Sequence, residues 1–162
     1  LDIVHNHAFG QSPLVRLYWD DISKQPSADS PWFNQTAKHP FNVGYDFNHE
    51  SEATKYFTKR AIRYWIEEYH VDGYRFDLSK GFTQKQSSNN DQMSAYDASR
   101  VAILKDYADH IWEIDPDFYI ILEHFASNSE EKALSDNGMM LWGNNNYQFN
   151  EATMGYPSNI NN

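Results

Sequence analysis

One short segment contains an arginine and an aspartate whose spacing could make the carboxylate of the aspartate reactive. Residues 71–77 read VDGYRFD, which we interpret as a strand. Because side chains alternate faces along a strand, Arg75 and Asp77 project from the same side. A guanidinium beside a carboxylate favours the charged form, which is the form that attacks an electrophilic carbon. A purely structural ion pair on a strand face is the alternative interpretation.

A second carboxylate stands at a comparable position. Glu123 follows the apolar run at residues 118–122, and a helical pattern separates this run from the first strand. A third apolar run opens the chain and is followed by His5, Asn6 and His7. In α/β barrels and open parallel sheets, residues at the carboxyl ends of the strands form the active face. We therefore expect these polar groups to lie at one face of a parallel sheet.

Four short motifs, taken in order, resemble the conserved regions of the α-amylase family of glycoside hydrolases. They read DIVHNH from Asp2, VGYDFN around Asp46, GYRFDLSK around Asp77 and IILEHF around Glu123. The GYRFDLSK motif is the specific one, whereas the Glu motif gains its weight from its spacing and order. The resemblance implies an α/β fold, namely a (β/α)8 TIM barrel, and a glycosidase that acts on α-glucans such as starch or maltodextrin.

The resemblance also implies the catalytic roles. Asp77 would be the nucleophile that forms a covalent glycosyl-enzyme intermediate, and Glu123 the general acid and base. A retaining glycosidase needs two carboxyls roughly 5 Å apart, one ionised and one protonated. Arg75 favours the ionised form of Asp77, whereas Glu123 lies in an apolar and aromatic run, so we expect desolvation to keep it protonated.

Further positions match residues of the family that bind sugar or metal. His7 would donate a hydrogen bond to a sugar hydroxyl, and Lys80 would contact the sugar on the leaving-group side; we group Arg75 with these substrate-binding residues. Asn6 and Asp46 match positions that hold a structural calcium ion in many members, and calcium prefers such oxygen ligands. No other cofactor is expected. The histidine that usually follows the lysine is replaced by Gly81.

The length predicts part of a barrel. A complete barrel usually takes about 250 residues, and the chain has 162 residues and opens in a strand without an initiator Met. We expect a partial barrel, roughly strands three to six, that is a fragment of one catalytic domain. The third catalytic carboxylate of the family would lie outside it, so the isolated chain is expected to be inactive. Open strand edges would also allow self-association.

A long loop after the third strand, residues 8–50, is expected to form an excursion beside the active-site cleft, because loops of this length in compact domains are usually functional. Four of its residues are candidates either for lining the cleft or for packing the loop: Trp19, Trp32, Phe33 and His39.

Two helices should cover the sheet. The first begins near Ser51 and would pack on the sheet through an apolar stripe of Phe57, Ala61, Tyr64 and Trp65. The second spans about 94–114, after a polar loop at 81–93, and would bury Val101, Leu104, Ala108 and Ile111. We further predict a short helix at 128–136, a strand at 139–142 and an irregular tail after Gly143.

Composition excludes some partners. The net charge of −10 should repel phosphate backbones, so nucleic acid is not expected as a partner. No apolar run approaches the roughly 20 residues that span a bilayer. The chain has no cysteine, which excludes disulfides and leaves the compartment open. Only the resemblance favours a bacterial secreted or periplasmic enzyme.

Two other functions fit part of the pattern. His5 and His7 form a His-x-His pair at a strand end, as in metal-dependent barrel enzymes that hydrolyse amides. This interpretation leaves Arg75, Asp77 and Glu123 unexplained. The chain could instead be a non-catalytic member that binds carbohydrate. Within the glycosidase interpretation, both α-1,4 and α-1,6 linkages, and both hydrolysis and transfer, are compatible with the motifs.

Overall fold

A parallel sheet of four strands forms the centre of the molecule. The computed structural model of the chain describes residues 1–41 and 43–156. Its strands are β1 (Asp2–Ile3), β2 (His7–Ala8), β3 (Trp19–Asp20), β4 (Gln25–Pro26), β5 (Tyr45–Asp46), β6 (Gly73–Phe76), β7 (Tyr119–Leu122) and β8 (Met140–Leu141). The sheet has the order β1-β6-β7-β8, and all three neighbouring pairs are parallel. The carboxyl ends of the four strands therefore share one edge.

Helices pack against this sheet and close the main core. The helices are α1 (Pro13–Leu17), α2 (Glu52–Tyr69), α3 (Asn90–Ser94), α4 (Ala98–Ile114), α5 (Asn128–Ser135) and α6 (Asn146–Thr153), with a 3-10 turn at Ser79–Gly81. Helix α2 packs on α4, and α4 packs on α5. Their buried side chains join those of β6 and β7, including Tyr74, Phe76, Ile120 and Leu122, in one core. The predicted alternation of strand and helix is confirmed.

The buried stripe of α2 differs from the predicted one. Thr54, Thr58, Ile62 and Ile66 are its buried residues, whereas Tyr64 is 51% exposed and Trp65 is 37% exposed. A threonine can replace an apolar residue in such a stripe when its hydroxyl is bonded, and Thr54 donates to the Trp32 carbonyl at 3.1 Å. Tyr64 and Trp65 therefore lie on the outer face of α2 and not against the sheet.

Tyr64 and Trp65 line an open apolar groove on the outer face of α2. Leu14, Trp32, Phe57, Tyr64 and Trp65 are among its lining residues, and its volume is about 650 Å³. Helix α2 otherwise begins as predicted, with Ser51 as its N-cap residue and Glu52 in its first turn.

Helix α4 buries the four predicted side chains, Val101, Leu104, Ala108 and Ile111. It begins later than predicted, because the Asp97 carboxylate accepts hydrogen bonds from the amides of Ser99 and Arg100 and so caps a new helix. The expected polar loop before it contains the 3-10 turn and α3. The Asn89 side chain caps α3 by accepting from the amide of Gln92.

Residues 8–50 have a small core of their own. Strand β2 pairs with β5 and β3 pairs with β4, both antiparallel. Val15, Phe33 and Phe47 are buried together, and Trp19 and Trp32 pack against them. Of the two interpretations for these aromatic residues, the structure supports packing. The short helix and strand predicted near residues 128–142 are confirmed as α5 and β8, but the tail contains α6 where an irregular segment was predicted.

Candidate active site

Strand register brings Arg75 and Asp77 to the carboxyl edge of the sheet. Arg75 Nη1 lies 2.9 Å from Asp77 Oδ1, so the ion pair inferred from the sequence is present. The same nitrogen lies 2.9 Å from Asp2 Oδ1 on β1, because Asp2 is the register partner of Arg75. Asp77 itself directly follows β6, and its amide donates to the Ile3 carbonyl.

Glu123 reaches the same guanidinium from the neighbouring strand. Phe76 and Leu122 are register partners, so the residues that follow them stand side by side. Glu123 Oε2 lies 2.9 Å from Arg75 Nη2 and accepts a hydrogen bond from the Leu78 amide, also at 2.9 Å. The two predicted carboxylates, far apart in the chain, therefore meet at one planar group.

The expected apolar surroundings of Glu123 are not present. Its carboxylate faces a cation and a backbone N–H group. Ile120 and Leu122 of β7 are buried in the core, whereas Glu123 lies beyond the end of the strand. The sequence alone could not show that Arg75 serves both carboxylates, since register between β6 and β7 decides it.

The carboxylates around Arg75 stabilise its charged form. Burial lowers the pKa of Arg75, but the hydrogen bonds that Arg75 donates to Asp2 and Asp77, together with the charge of Glu123, outweigh it and raise the pKa overall. Trp142 covers the guanidinium, with the ring centroid 4.3 Å from Cζ. About a quarter of the side chains of Asp77 and Glu123 stays exposed, 26% and 25%, so a ligand can reach both.

His7 lies close to this cluster, on strand β2. Burial lowers its pKa, while the charges of Asp77 and Asp46 act in the opposite direction. Its ring Nδ1 lies 3.3 Å from Asn6 Nδ2, and its register partner on β5 is Asp46. The structure thus brings together Asp77, Glu123, Arg75 and His7, with Asn6 and Asp46 behind His7.

Lys80 is placed differently. Its side chain is buried, and Nζ donates to Asn90 Oδ1 at 2.8 Å, Ser94 Oγ at 3.3 Å and the Phe125 carbonyl at 3.2 Å. An ammonium group has three donors, and all three are used within the protein. The arrangement favours a structural role, and a sugar contact at Lys80 would require one of these bonds to open.

A second charged network was not predicted. Arg100 forms two contacts with Glu130, Nε to Oε1 at 2.5 Å and Nη2 to Oε2 at 2.7 Å, and Glu130 Oε1 also lies 2.8 Å from His124 Nε2. His124 Nδ1 lies 2.9 Å from Ser79 Oγ, and Ser79 donates to the Glu123 carbonyl through its amide and its hydroxyl.

This network holds the turn that follows Asp77 against the turn that follows Glu123. In sequence, Arg100 and Glu130 look like ordinary polar residues of two helices. One feature of the sequence could have indicated that Arg100 is buried: it directly precedes Val101, the first residue of the apolar face predicted for α4.

The rival metal-dependent site is not formed. The ring of His5 packs edge-on against Phe57 at 5.9 Å, while His7 contacts Asn6. Burial lowers the pKa of His5 to about 4. Within residues 1–41 and 43–156, moreover, no group of three or more His, Cys, Asp or Glu side chains is arranged to hold a metal ion.

In the same part of the chain, no helix is both long and apolar enough to cross a bilayer.

Comparison with known proteins identifies relatives of this arrangement. A family model described as "Alpha amylase, catalytic domain" matches residues 21–162. The malto-oligosyltrehalose trehalohydrolase of Saccharolobus solfataricus is 30% identical over 79 residues, which are 48% of this chain and 12% of that protein. The pullulanase of Bacillus subtilis is 31% identical over 80 residues, which are 48% of this chain and 10% of that protein.

A solved structure shares the fold. Eubacterium rectale Amy13B is similar with a TM-score of 0.70 at 16% identity, over 96% of this chain and 34% of that chain. The prediction of a partial barrel is thereby confirmed. The matched region spans only about a tenth of the length of the two curated relatives.

Proposed function

Because the chain belongs to the family of α-amylase catalytic domains, we propose that it carries two catalytic carboxylates of a retaining glycoside hydrolase that acts on α-glucans. One observation carries the proposal: Asp77 and Glu123 follow neighbouring parallel strands and bind the two Nη atoms of Arg75. One relative is named for a malto-oligosyl compound and another for pullulan, which supports a glucan substrate.

Asp77 would act first. An oxygen of its carboxylate attacks the anomeric carbon, and the glycosidic C–O bond breaks as the new bond forms. The leaving oxygen takes a proton from Glu123. Since Oε2 of Glu123 accepts from both Arg75 and Leu78, the proton would be carried by Oε1. Glu123 then removes a proton from water, which attacks the intermediate and releases Asp77.

The neighbouring residues would bind and orient the sugar. His7 would donate a hydrogen bond to a hydroxyl of the reacting sugar, and its electrostatic interaction with Asp77 supports this role. Arg75 would fix both carboxylates rather than contact the sugar directly, because its two Nη atoms already lie against carboxylate oxygens. Residues 8–50, whose strand β5 pairs Asp46 with His7 of β2, would form one wall of the cleft.

Substitution of the two carboxylates tests the proposal in a complete barrel that contains these residues. Asp77→Asn should reduce kcat on a maltooligosaccharide by roughly 10⁴-fold or more and leave binding largely intact. Asp72→Asn is the matched control, since Asp72 is an exposed carboxylate at the amino end of the same strand. A fluorinated glucosyl substrate that traps the intermediate should label Asp77, as read by peptide mass spectrometry.

Retained turnover in Asp77→Asn, or a label on another residue, would remove Asp77 from the nucleophile role. Binding of maltooligosaccharide by the unsubstituted barrel without any turnover would instead favour the non-catalytic carbohydrate-binding alternative.

A further inference from the structure

Three buried polar side chains form a cluster behind His7. Asn6 and Asp46 lie at the paired strands β2 and β5, and His39 lies on the loop that precedes β5; their exposed fractions are 0%, 1% and 5%. His39 Nε2 is 3.3 Å from Asn6 Nδ2 and 3.4 Å from Asp46 Oδ1. One ring nitrogen therefore contacts both residues that were expected to bind calcium.

The cluster contains unsatisfied atoms. Among the residues that the structure describes, Asn6 Oδ1, Asp46 Oδ1 and His39 Nδ1 are buried without a hydrogen-bond partner. The other oxygen of Asp46 is well satisfied, because it accepts from Asn34 Nδ2 at 2.8 Å and from the Lys38 amide at 3.1 Å. Buried oxygens are rarely left unpaired, so a donor or a cation is needed at the first two atoms.

A calcium ion does not fit this arrangement. Calcium takes six to eight oxygen ligands at about 2.3–2.6 Å, whereas the group that contacts both Asn6 and Asp46 here is an imidazole nitrogen. The carboxamide of Asn6 is also packed against Gly81, where a Cβ would lie 1.8 Å from Oδ1. Gly81 leaves room for this carboxamide, and His39 takes the place beside it.

We propose that a single N–H group of His39, rather than a metal ion, satisfies the buried oxygens of Asn6 and Asp46. Turning the Asn6 carboxamide by half a rotation places Oδ1 where Nδ2 lies, so that Nε2–H of His39 faces two oxygens at once. These are the two unpartnered oxygens of the cluster. Nδ1 of His39 is then an unfilled acceptor, and the turned Nδ2 group of Asn6 takes the position of Oδ1 beside Gly81.

The arrangement fixes the imidazole of His7. In this orientation, His7 Nδ1–H donates to the same Asn6 oxygen, at the 3.3 Å separation seen between the two side chains. His39 thus acts on His7 through Asn6 and is a positioning residue. The proposal does not depend on the glycosidase function, because it concerns only contacts within the chain.

Metal dependence gives the first test, on the 162-residue chain itself. We expect the same Tm, followed by circular dichroism, in millimolar calcium chloride and in a chelator. Terbium, which substitutes for calcium and is excited by nearby tryptophan, should show no saturable emission. A Tm that falls in chelator, or terbium emission that saturates and is lost in Asp46→Asn, would overturn the proposal.

Substitution of His39 gives the second test. His39→Phe keeps a ring of similar shape and removes both nitrogens, so it should lower Tm by roughly 4–8 °C in calcium and in chelator alike. An unchanged Tm in His39→Phe would overturn the proposal. His110→Phe is the matched control, because His110 is a half-buried histidine outside the cluster.

A spectroscopic readout separates positioning from general stability. In ¹⁵N-labelled protein, the ring nitrogens of His39 should show the tautomer with the proton on Nε2, and the ring signals of His7 should move in His39→Phe but not in His110→Phe. A proton on Nδ1 of His39, or unchanged His7 signals in His39→Phe, would contradict the proposed contacts.

Discussion

Two guanidinium clusters, one around Arg75 and one around Arg100, differ in exposure. In the Arg75 cluster, Arg75 contacts Asp2, Asp77 and Glu123, and the guanidinium side chain is 15% exposed. In the Arg100 cluster, Arg100 contacts Glu130, which also binds His124, and these side chains are at most 1% exposed. The chemistry of the ion pairs is the same in both clusters.

The difference separates a reactive site from a structural one. The donors of Arg100 also bind the carbonyls of Lys80, Met93 and Ala95, so this cluster is closed by backbone on every side. The Arg75 cluster instead offers two partly exposed carboxylates to solvent. Sequence types alone do not distinguish the clusters, but burial and the identity of the partners do.

Removing one charge from each cluster should give the largest contrast in stability. Glu130→Gln leaves the Arg100 charge buried without a counter-charge, so the free energy of unfolding should fall by about 3–5 kcal/mol. Glu123→Gln leaves Arg75 two carboxylates and water, and should change stability by less than about 1 kcal/mol. Urea unfolding measures both. Equal losses in the two variants would remove the distinction between the clusters.

Acid should destabilise the folded chain through the buried histidine His49. Burial lowers the pKa of His49 to about 3, and its ring is stacked on Phe82 and bonded to Tyr107 and to the His5 carbonyl. The unfolded chain binds a proton on this ring below about pH 6.5 and the folded chain does not, so protons favour unfolding. Between pH 7 and pH 5 this group should cost about 2 kcal/mol of stability.

Unfolding free energies measured at both pH values in His49→Gln should show a shallower loss. His70→Asn is the control, because His70 is exposed and its left-handed conformation tolerates asparagine. If His49→Gln kept the whole pH dependence, the protonation of this ring would not be its cause.

The link between the two clusters is expected to have a smaller effect. Ser79 binds the Glu123 carbonyl and His124 Nδ1, and it is fully buried. Ser79→Ala should lower the free energy of unfolding by about 1–2 kcal/mol, because both partners lose a hydrogen bond. A double-mutant cycle with Glu130→Gln measures whether the link is coupled to the Arg100 cluster. Strict additivity would show that Ser79 serves only the Glu123 side.

The outermost carboxylate should matter least. The side chain of Asp2 is 65% exposed, and its contact with Arg75 is largely solvated. Asp2→Asn should therefore change the free energy of unfolding by less than about 1 kcal/mol, and the change should shrink further at high salt, which screens exposed charges. A larger loss, measured by urea unfolding of this chain, would mean that the Arg75 cluster is as closed as the Arg100 cluster.

The sequence predicted the parts of the fold that depend on local pattern. The apolar face of α4 and the strands β6 and β7 are where the periodicity placed them. The predicted buried stripe of α2 was wrong because Thr54 and Thr58, which an apolar pattern does not mark, take two of its buried positions. The hydroxyl of Thr54 is bonded to the Trp32 carbonyl, in a segment distant along the chain. The start of α4 was wrong because Asp97 caps the helix, which therefore begins at Ala98 and not near Ser94.

The candidate site was predictable as a set of residues but not as a set of contacts. Asp77, Glu123 and Arg75 lie together as expected, since strand ends and register are simple consequences of a parallel sheet. The surroundings of Glu123, the burial of Lys80 and the contacts of His39 depend on side-chain directions across loops. These directions follow from packing between separate segments of the chain, such as those that bring His39 to Asn6 and Glu123 to Leu78, and no local sequence pattern records them.

The apolar groove on the outer face of α2 affects how this chain can be studied. Environment-sensitive dyes such as ANS fluoresce when they bind exposed apolar surface, and the groove beside Tyr64 and Trp65 offers such surface in the native state. A bright dye signal at room temperature would then describe the folded chain and not a molten globule. Intrinsic optical methods, which need no added probe, are for this reason the sounder measure of its unfolding.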